Sequence, residues 1–343
     1  MSETVVGIGI LGCGNIASIH AQAIRLVPAL NLVSVCSRSR ESAECLGAKL
    51  GVAAYSDLKV FLSDPALRAV SICTPSGTHS DLGIAAAGAG KHVLVEKPID
   101  VSLEKADALI QACDSARVRL AVAFQSRHLD APRLLKSAVE SGRLGKPIIG
   151  GAHIKWYRKP EYYASNSWRG TLAIDGGGAL INQAIHTVDL LRWIMGPATD
   201  VSAYSDRLLH RGIEAEDTLV AVVRFENGAL AVIEATTSAY PGFKRRVEIT
   251  GTEGTVILDG DNLTTWTLRD GSKNPAAAAG DISDGSADPM AIDCEGHRRI
   301  MVDFASAILE KRKPLVDGRE GRESLELVRA IYESAAAHRR IRA

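Results

Sequence analysis

Residues that can accept and release protons are concentrated in one stretch of the second half of the chain. Asn182 and His186 are four residues apart, so a helix would place both on one face. A histidine with a pKa near neutrality can accept the proton of a sugar hydroxyl, as the oxidation of a secondary alcohol requires. A buried core histidine bonded to a backbone carbonyl is the alternative. Three glycines, Gly176 to Gly178, precede this segment and indicate that something approaches the backbone closely there.

A second reactive group lies in the first half of the chain, in the tripeptide Glu96-Lys97-Pro98. This tripeptide follows an apolar run that predicts a strand. We therefore expect Lys97 at the carboxyl end of that strand, where ligands bind in open α/β sheets. A lysine there can polarise a hydroxyl or carbonyl oxygen and stabilise a developing alkoxide. Taken alone, such a tripeptide is more often a surface turn.

The segment from Gly12 to Ala17 fits the G-x-G-x-x-A pattern of dinucleotide-binding loops. It ends an apolar strand and opens a helical pattern, which is the context that the pattern requires. The first glycine makes the turn, and Gly14 lets the backbone approach a pyrophosphate at the helix N-terminus. A glycine turn in an unrelated α/β sheet is the alternative, but five alternations of strand and helix favour dinucleotide binding.

The choice between NAD and NADP depends on Ser37 and Arg38, at the end of the second predicted strand. An acidic residue at this place binds the ribose 2′-hydroxyl of NAD, whereas a 2′-phosphate needs donors and positive charge. A neutral residue followed by a cation, with Arg40 close by, favours NADP over NAD. Alternatively, Ser37 serves either cofactor and the arginines are simply solvated.

These groups need a particular set of elements to position them. Apolar strands alternate with helices up to residue 124, which predicts a parallel sheet covered on both faces and a dinucleotide-binding domain over 1–124. Over 125–343, β-branched alternation and turns such as Asn227-Gly228 predict an α+β domain with an antiparallel or mixed sheet. Its C-terminal helices can pack back on the first domain. The segment 273–288, rich in Ala, Gly, Ser and Asp, is expected to be a surface loop.

Composition excludes several classes of partner. The 343 residues include 40 Lys and Arg against 40 Asp and Glu, so we expect neither nucleic acid nor an anionic membrane surface as a partner. No stretch approaches the roughly 20 apolar residues of a membrane span, and Met1 to Thr4 lack the basic start of a signal peptide. The six cysteines contain no C-x-x-C pair, so we expect free thiols in the cytoplasm. Without an H-E-x-x-H motif or clustered cysteines, no metal site is expected.

Taken together and in this order, the motifs resemble those of the glucose–fructose oxidoreductase, inositol dehydrogenase and rhizopine-catabolism (Gfo/Idh/MocA) family. The similar segments run nearly from end to end. They are Gly12 to Ala17, Thr74-Pro75 with His79, Glu96 to Pro98, Gly176 to Gly178 with Asn182 and His186, Ile249 to Gly254, and His297 with Asp303-Phe304. The resemblance implies a Rossmann domain followed by a substrate-binding and oligomerisation domain with an open-faced mixed sheet. It also implies homodimers or homotetramers that pack through that sheet.

The activity that the resemblance implies is NAD(P)-dependent hydride transfer at a secondary alcohol or ketone carbon of a sugar, sugar derivative or cyclitol. A glycosidase of the same fold that retains its cofactor is one alternative. A sensor that binds sugar or NAD(P) without chemistry is another, and the presence of Lys97 and His186 counts against it.

Carried over residue by residue, the resemblance implies that Lys97 hydrogen-bonds the reacting oxygen and that His186 is the acid or base. Asn182 is the third candidate catalytic residue. Many relatives have an aspartate there, which could raise the pKa of the histidine, whereas an amide can orient it or hold a substrate hydroxyl. The residues expected to bind the cofactor are Gly12, Gly14, Asn15, Ile16, Ser37, Arg38, Thr74, Pro75, His79, Glu96, Lys97, Trp168 and Arg169. Those expected to bind substrate are Lys97, Asn182, His186, Tyr157 and Tyr163, although an exposed aromatic loop or a subunit contact would also explain the two tyrosines.

Overall fold

The computed structural model describes residues 5–275 and 294–342. The chain divides into two compact units, Met1–Gln125 with Cys294–Arg322 and Ser126–Asp293 with Glu323–Ala343. Of the loop expected over 273–288, residues 276–288 lie outside the described part, as do Met1 to Thr4. Within the described residues, no helix is both long enough and apolar enough to cross a membrane.

The helices and strands follow the alternation expected from the sequence. The strands are β1 (Val6–Leu11), β2 (Leu30–Cys36), β3 (Ala53–Tyr55), β4 (Ala69–Ile72), β5 (His92–Val95), β6 (Leu120–Val122), β7 (Pro147–Lys155), β8 (Ala198–Asp206), β9 (Thr218–Phe225), β10 (Leu230–Thr236), β11 (Arg246–Gly251), β12 (Gly254–Asp259), β13 (Asn262–Leu268) and β14 (Ile341–Arg342). The helices are α1 (Asn15–Arg25), α2 (Arg40–Leu50), α3 (Leu58–Leu62), α4 (His79–Gly88), α5 (Leu103–Ala116), α6 (Asp130–Glu140), α7 (Pro160–Ala164), α8 (Ile185–Met195), α9 (Glu295–Leu309) and α10 (Gly318–Ala337).

The first unit is built on a six-stranded sheet in the order β3-β2-β1-β4-β5-β6, with all neighbouring pairs parallel. This is the doubly wound order of dinucleotide-binding folds. Ile8 and Ile10 of β1 are fully buried, because helices cover both faces of a parallel sheet. They belong to one apolar core with Ile24 of α1 and with Met301 and Phe304 of α9. The prediction of a Rossmann sheet is confirmed.

The second unit contains an eight-stranded sheet in the order β13-β12-β11-β7-β10-β9-β8-β14. Its neighbouring pairs are antiparallel except β7 with β10, which is parallel, so the prediction of a mixed, mainly antiparallel sheet is confirmed. In β9, Leu219, Ala221 and Val223 are buried, whereas Val220 and Val222 are exposed. This alternation means that one face of the sheet packs into the core and the other stays open.

The helix expected from Ala179 to Met195 is not regular. Residues Ala179–Ala184 form a π-helical turn, and α8 begins only at Ile185. Apolar periodicity could not reveal this, because a π-turn differs from an α-turn by one residue in its hydrogen-bonding pattern. Asn182 therefore lies inside the π-turn, while His186 lies in the first turn of α8.

Asp189 of α8 anchors this helix within the second unit. It accepts two hydrogen bonds from the guanidinium of Arg127, with Nε–Oδ2 at 2.8 Å and a second nitrogen at 2.6 Å from Oδ1. The hydroxyl of Ser324 donates to the same carboxylate. Both charged side chains are almost completely buried, and the two-pronged pairing offsets the cost of removing them from water. This pairing fixes the turn of α8 that follows His186.

Candidate active site

The loop between β1 and α1 leaves its backbone open where a ligand would lie. Gly12 has a φ of +105°, and a Cβ on it would lie 2.5 Å from the carbonyl oxygen of Cys73. A Cβ on Gly14, by contrast, would meet no atom within 4 Å. Gly14 is the residue before α1, and no side chain caps this N-terminus of the helix. The first N–H groups of α1 are therefore available to an anion, and the open backbone at Gly14 fits a pyrophosphate.

The parallel sheet brings the other candidates of the first unit to the same edge. Strands β2, β1, β4 and β5 are consecutive in the sheet, so the segments that follow them are neighbours. Adjacent strands lie about 4.8 Å apart, which puts the end of β5, two strands from β1, about 10 Å from the phosphate loop. The residues gathered along this edge are Gly12, Gly14, Asn15, Ile16, Ser37, Arg38, Thr74, Pro75, Glu96 and Lys97.

The end of β2 presents positive charge to solvent. Arg38 is exposed, and within residues 5–275 and 294–342 it has no ion-pair partner. The neighbouring Arg40 is instead paired with Glu44 one helical turn on, with Nε–Oε1 at 2.8 Å. Of the two cations, Arg38 is the one whose charge is not offset by an ion pair within the described residues.

His79 lies beneath this edge rather than on it. The ring is 1% exposed, and its two nitrogens lie 2.8 Å from the carbonyl oxygen of Pro98 and 2.9 Å from that of Thr74. Burial lowers the pKa of His79 despite these two carbonyl groups. The histidine ties the segment after β4 to the segment after β5, so it supports both candidate cofactor-binding segments from below.

Glu96 is also buried, and its carboxylate points away from solvent into a cluster with His20 and His297. Oε1 lies 2.7 Å from Nε2 of His20 and 3.6 Å from Nε2 of His297, and Oε2 accepts the N–H of Lys97. Burial raises the pKa of Glu96, but its interactions with the two rings outweigh burial and hold that pKa well below its usual range. The ionised carboxylate therefore fixes the backbone from which the Lys97 side chain extends.

The protonation of His20 follows from its neighbours. An ionised carboxylate only accepts hydrogen bonds, so Nε2 of His20 carries a proton, and burial keeps the ring neutral by lowering its pKa. Nδ1 must then accept the hydroxyl proton of Ser71 at 2.7 Å. The donor atoms of His20, Glu96 and His297 lie within 4.8 Å of one another, a set that could hold a metal. The 2.7 Å contact is, however, an ordinary hydrogen-bond distance.

In the second unit, the three glycines are approached by the chain's own side chains. The carboxylate of Glu216 accepts hydrogen bonds from the N–H groups of Gly178 at 3.0 Å and Leu180 at 2.8 Å. The main-chain carbonyl oxygen of Glu216 accepts one from the N–H group of Ala179 at 3.0 Å. The hydroxyl of Tyr332 donates to Glu216 at 2.9 Å and accepts the N–H of Gly178 at 3.3 Å. A Cβ at Gly178 would overlap the carbonyl oxygen of Glu216, which explains the glycine.

Asn182 belongs to a polar network at the same turn. Its amide nitrogen donates to the buried carboxylate of Asp175, whose second oxygen accepts the N–H of Gly170 at 2.8 Å. Gln183 donates to the side-chain oxygen of Asn182 at 2.8 Å and accepts from Arg158 at 2.8 Å. These contacts fix which way the two amide groups point, because a donor must face each acceptor.

Aromatic and arginine side chains surround Gln183. Its amide nitrogen donates to the hydroxyl of Tyr162 at 2.8 Å, and Arg158 and Arg169 both lie over the Tyr162 ring, Arg169 at 4.1 Å from its centre. Trp168 lies beneath the same Arg169 guanidinium at 5.7 Å. The second unit thus has a positively charged, aromatic patch beside Asn182.

The two tyrosines expected to bind substrate have protein partners. Tyr163 shares a hydrogen bond with Thr237 at 2.9 Å, and Tyr157 packs edge-on against Tyr240 at 5.3 Å. His186 is half-buried at the start of α8. Residues that the sequence did not suggest are Asp175, Gln183, Glu216 and Tyr332. Only the glycines pointed to them, because a run of glycines indicates a close neighbour without naming it.

Comparison with known domain families agrees with this picture. The model described as an oxidoreductase family with an NAD-binding Rossmann fold matches residues 6–124, and that of the GFO/IDH/MocA C-terminal domain matches residues 133–257. The chain belongs to the Gfo/Idh/MocA family. The resemblance stated from the motifs is therefore confirmed, together with NAD binding as the property of the first domain's family.

Individual family members are similar over most of their length. The chain is 33% identical to the myo-inositol 2-dehydrogenase of Thermotoga maritima over 270 residues, which are 77% of this chain and 78% of that enzyme. It is 29% identical to the levoglucosan dehydrogenase of Pseudarthrobacter phenanthrenivorans over 289 residues, 74% of this chain and 73% of the other. The crystal structure of the WlbA dehydrogenase from Bordetella pertussis with NADH and UDP-GlcNAcA has a TM-score of 0.88 and 34% identity, and the match covers 99% of each chain.

The buried Glu216 gives the second unit a dependence of stability on pH. Burial raises the pKa of Glu216 from 4.5 to about 7, although the N–H groups and Tyr332 oppose this rise. Between these pH values the unfolded chain has lost the proton and the folded chain keeps it. The free energy of unfolding should therefore fall as pH rises from about 4.5 to about 7, by roughly 3 kcal/mol at about 1.4 kcal/mol per pH unit. Two titratable side chains, those of Tyr332 and Tyr163, face Glu216. Both have raised pKa values and stay protonated.

Urea unfolding at several pH values, followed by tryptophan fluorescence, measures this effect. All four tryptophans lie in the second unit, so the signal reports on the unit that contains Glu216. Glu216→Gln should remove this part of the slope, whereas the exposed Glu226→Gln should leave it unchanged. Equal slopes for the wild-type protein and Glu216→Gln would contradict the assignment.

Proposed function

We propose that this protein is an NAD(P)-dependent dehydrogenase or reductase that transfers hydride between nicotinamide and a secondary alcohol or ketone carbon of a sugar, sugar derivative or cyclitol. The observation that carries the proposal is the carboxyl edge of the parallel sheet, where the open backbone of Gly14 and the side chain of Lys97 come from strands two places apart. A phosphate cradle and a hydroxyl-polarising cation on one edge suit a dinucleotide and an alcohol substrate.

Two side chains, Lys97 and His186, are the reacting groups of this proposal. The bound dinucleotide would supply the hydride acceptor or donor. In the direction of oxidation, His186 takes the hydroxyl proton first, and the substrate carbon then loses hydride. The Lys97 ammonium group stabilises the alkoxide that forms between these two events. Asn182, held by Asp175, binds a substrate hydroxyl through its remaining hydrogen-bonding capacity.

The substrate class follows from what similar proteins bind and from the residues near Asn182. Relatives act on myo-inositol or levoglucosan by name, and the WlbA dehydrogenase was crystallised with UDP-GlcNAcA. These molecules share a ring with several hydroxyl groups. The aromatic patch of Tyr162 and Trp168 beside Asn182 supports a carbohydrate ring, because apolar ring faces pack on aromatic side chains while amides bind the hydroxyls. We propose a small-molecule carbohydrate as the substrate.

The cofactor preference rests on Arg38. Similar structures contain NADH, and the matching domain family binds NAD. In this chain the end of β2 has Ser37 and the exposed Arg38, with no carboxylate at the place that would bind the ribose hydroxyls. A cation there attracts a 2′-phosphate. We propose NADP or NAD as the cofactor, with NADP slightly preferred.

The open face of the eight-stranded sheet supports self-association. Its exposed side chains include Tyr204, Val220, Val222, Ile149 and Leu230, which come from four adjacent strands. Exposed apolar side chains on one face of a sheet are costly in water and suit an isologous contact with the same face of a second copy. We propose a homodimer or homotetramer that packs through this face. All six cysteines are free thiols, which supports the reducing cytoplasm as the compartment.

Turnover assays test the reaction. Purified protein is mixed with NAD or NADP and with sugars and cyclitols that include myo-inositol, levoglucosan and UDP-GlcNAcA, and absorbance of the reduced cofactor is followed. Lys97→Met and His186→Ala should each lower kcat by about 10²-fold or more, since acid–base groups contribute 10² to 10⁴-fold. Cofactor affinity should stay within a few-fold, and the exposed Lys59→Met serves as control. Wild-type turnover in both variants would refute the roles, and hydrolysis without added cofactor would indicate a glycosidase.

The cofactor proposal is tested by comparing kcat/KM for NADP and NAD. Arg38→Ala should lower kcat/KM for NADP by about tenfold, the effect of one charge-assisted hydrogen bond, and change the value for NAD little. Arg40→Ala is the matched control, because that guanidinium is paired with Glu44. A strong preference of the wild-type protein for NAD would overturn the proposal.

The oligomer proposal is tested by measuring molar mass with light scattering. Val222→Glu puts a charge among the exposed apolar side chains of this face and should shift the protein to monomer. Lys59→Glu in the first unit should leave the mass unchanged. A monomeric wild-type protein, or a Val222→Glu variant with unaltered mass, would show that this face is not the interface.

A further inference from the structure

The π-helical turn Ala179–Ala184 decides how Asn182 is oriented relative to His186. A π-turn bonds residue i to i+5, one residue more than an α-turn. If this segment became regular α-helix, the side chains before the change would rotate by about 100° around the axis relative to those after it. Asn182 lies within the turn and His186 lies after it. The relative direction of these two side chains therefore depends on the turn keeping its form.

The start of the turn is fixed from distant parts of the chain. The N–H groups of Gly178, which precedes the turn, and of the first three residues of the turn, 179 to 181, all donate to Glu216 or Tyr332. Glu216 lies in the segment before β9, and Tyr332 lies in α10, about 150 positions beyond the turn. Neither belongs to the local helix, so the tertiary fold determines where the helical segment begins.

We propose that Glu216 and Tyr332 are positioning residues that hold this π-turn in place and thereby set the geometry of Asn182 and His186. Glu216 is 7% exposed and acts through the backbone, since its carboxylate is occupied by Gly178, Leu180 and the Tyr332 hydroxyl. The effect on catalysis rests on the proposed function, whereas the stabilisation of the π-turn by Glu216 and Tyr332 does not.

This place needs two accepting oxygens, and the glutamate side chain supplies them. An amide of the same shape has one accepting oxygen and one donating nitrogen, so Glu216→Gln would turn a donor toward one of the N–H groups that the side chain must accept. Tyr332→Phe removes the shared hydroxyl while leaving the ring, and so tests the same hold from the other partner.

Two measurements on the full-length protein test this proposal. The first is amide hydrogen exchange, read by mass spectrometry on peptides that cover residues 176–190. In Glu216→Gln and in Tyr332→Phe, exchange should rise at least tenfold in this segment and stay unchanged in β9 and β10. Glu226→Gln, an exposed carboxylate at the β9–β10 turn, is the matched control and should match the wild type.

The second measurement separates positioning from general stability. At a temperature well below unfolding, Glu216→Gln and Tyr332→Phe should lower kcat on the sugar substrate by about tenfold or more, because small misplacements of reacting groups are costly. The KM for the dinucleotide should stay within twofold, since the phosphate loop belongs to the other unit. A loss of folding alone would reduce active protein, and so would lower apparent kcat in proportion to the folded fraction seen by circular dichroism.

The outcomes keep the two proposals distinct. Unchanged exchange at 176–190 in both variants overturns the positioning role, whatever the activity. Raised exchange with wild-type kcat overturns its link to catalysis and leaves the enzyme assignment standing. If the wild-type protein turns over no sugar, the proposed function fails, while raised exchange confined to this segment still supports the hold on the turn.

Discussion

The first N–H groups of a helix have no partner within the helix, and this protein satisfies them in opposite ways at its two glycine-rich turns. At α1 the groups carry no side-chain cap, and the backbone of Gly14 faces open space. At the turn that begins after Gly178, the carboxylate and carbonyl oxygen of Glu216 and the hydroxyl of Tyr332 accept these N–H groups. The same physical requirement thus produces a site for an external anion in one unit and a rigid support in the other.

This contrast explains why the two glycines have different structural surroundings. At Gly14 a Cβ would meet no atom of the described residues within 4 Å, so the space beside the backbone is open. Gly178 is needed because Glu216 already fills it, and any side chain would overlap that residue's carbonyl oxygen. Read as sequence, both are glycines before a helix. They differ only in what lies beside the backbone, which is open space at Gly14 and the distant residue Glu216 at Gly178.

Local patterns therefore predicted the first unit better than the site of the second. The Gly12–Ala17 loop, the apolar strands and the position of Lys97 at a strand end all depend on neighbours in sequence, and the parallel sheet then brings them to one edge. The π-turn, Asp175 and Glu216 depend on contacts between residues that are seven to 154 positions apart. Hydrophobic periodicity does not depend on such contacts, so it cannot predict them. The i to i+4 spacing of Asn182 and His186 predicts a shared face of one regular helix, whereas the structure has Asn182 in the π-turn and His186 in α8.

The network around Asp175 also gives a physical reason for Asn182. Its amide donates to the Asp175 carboxylate, and its oxygen accepts from Gln183, whose own oxygen faces the Arg158 cation. The two amide dipoles thus run in one direction, from a cation to an anion. With Asn182→Asp, two carboxylates would meet within hydrogen-bond distance in a half-buried place, and one would have to hold a proton. A carboxylate at residue 182 would therefore be costly beside Asp175. In this chain the carboxylate at this place comes from Asp175, one residue before the glycines, and Asn182 supplies a neutral amide beside it.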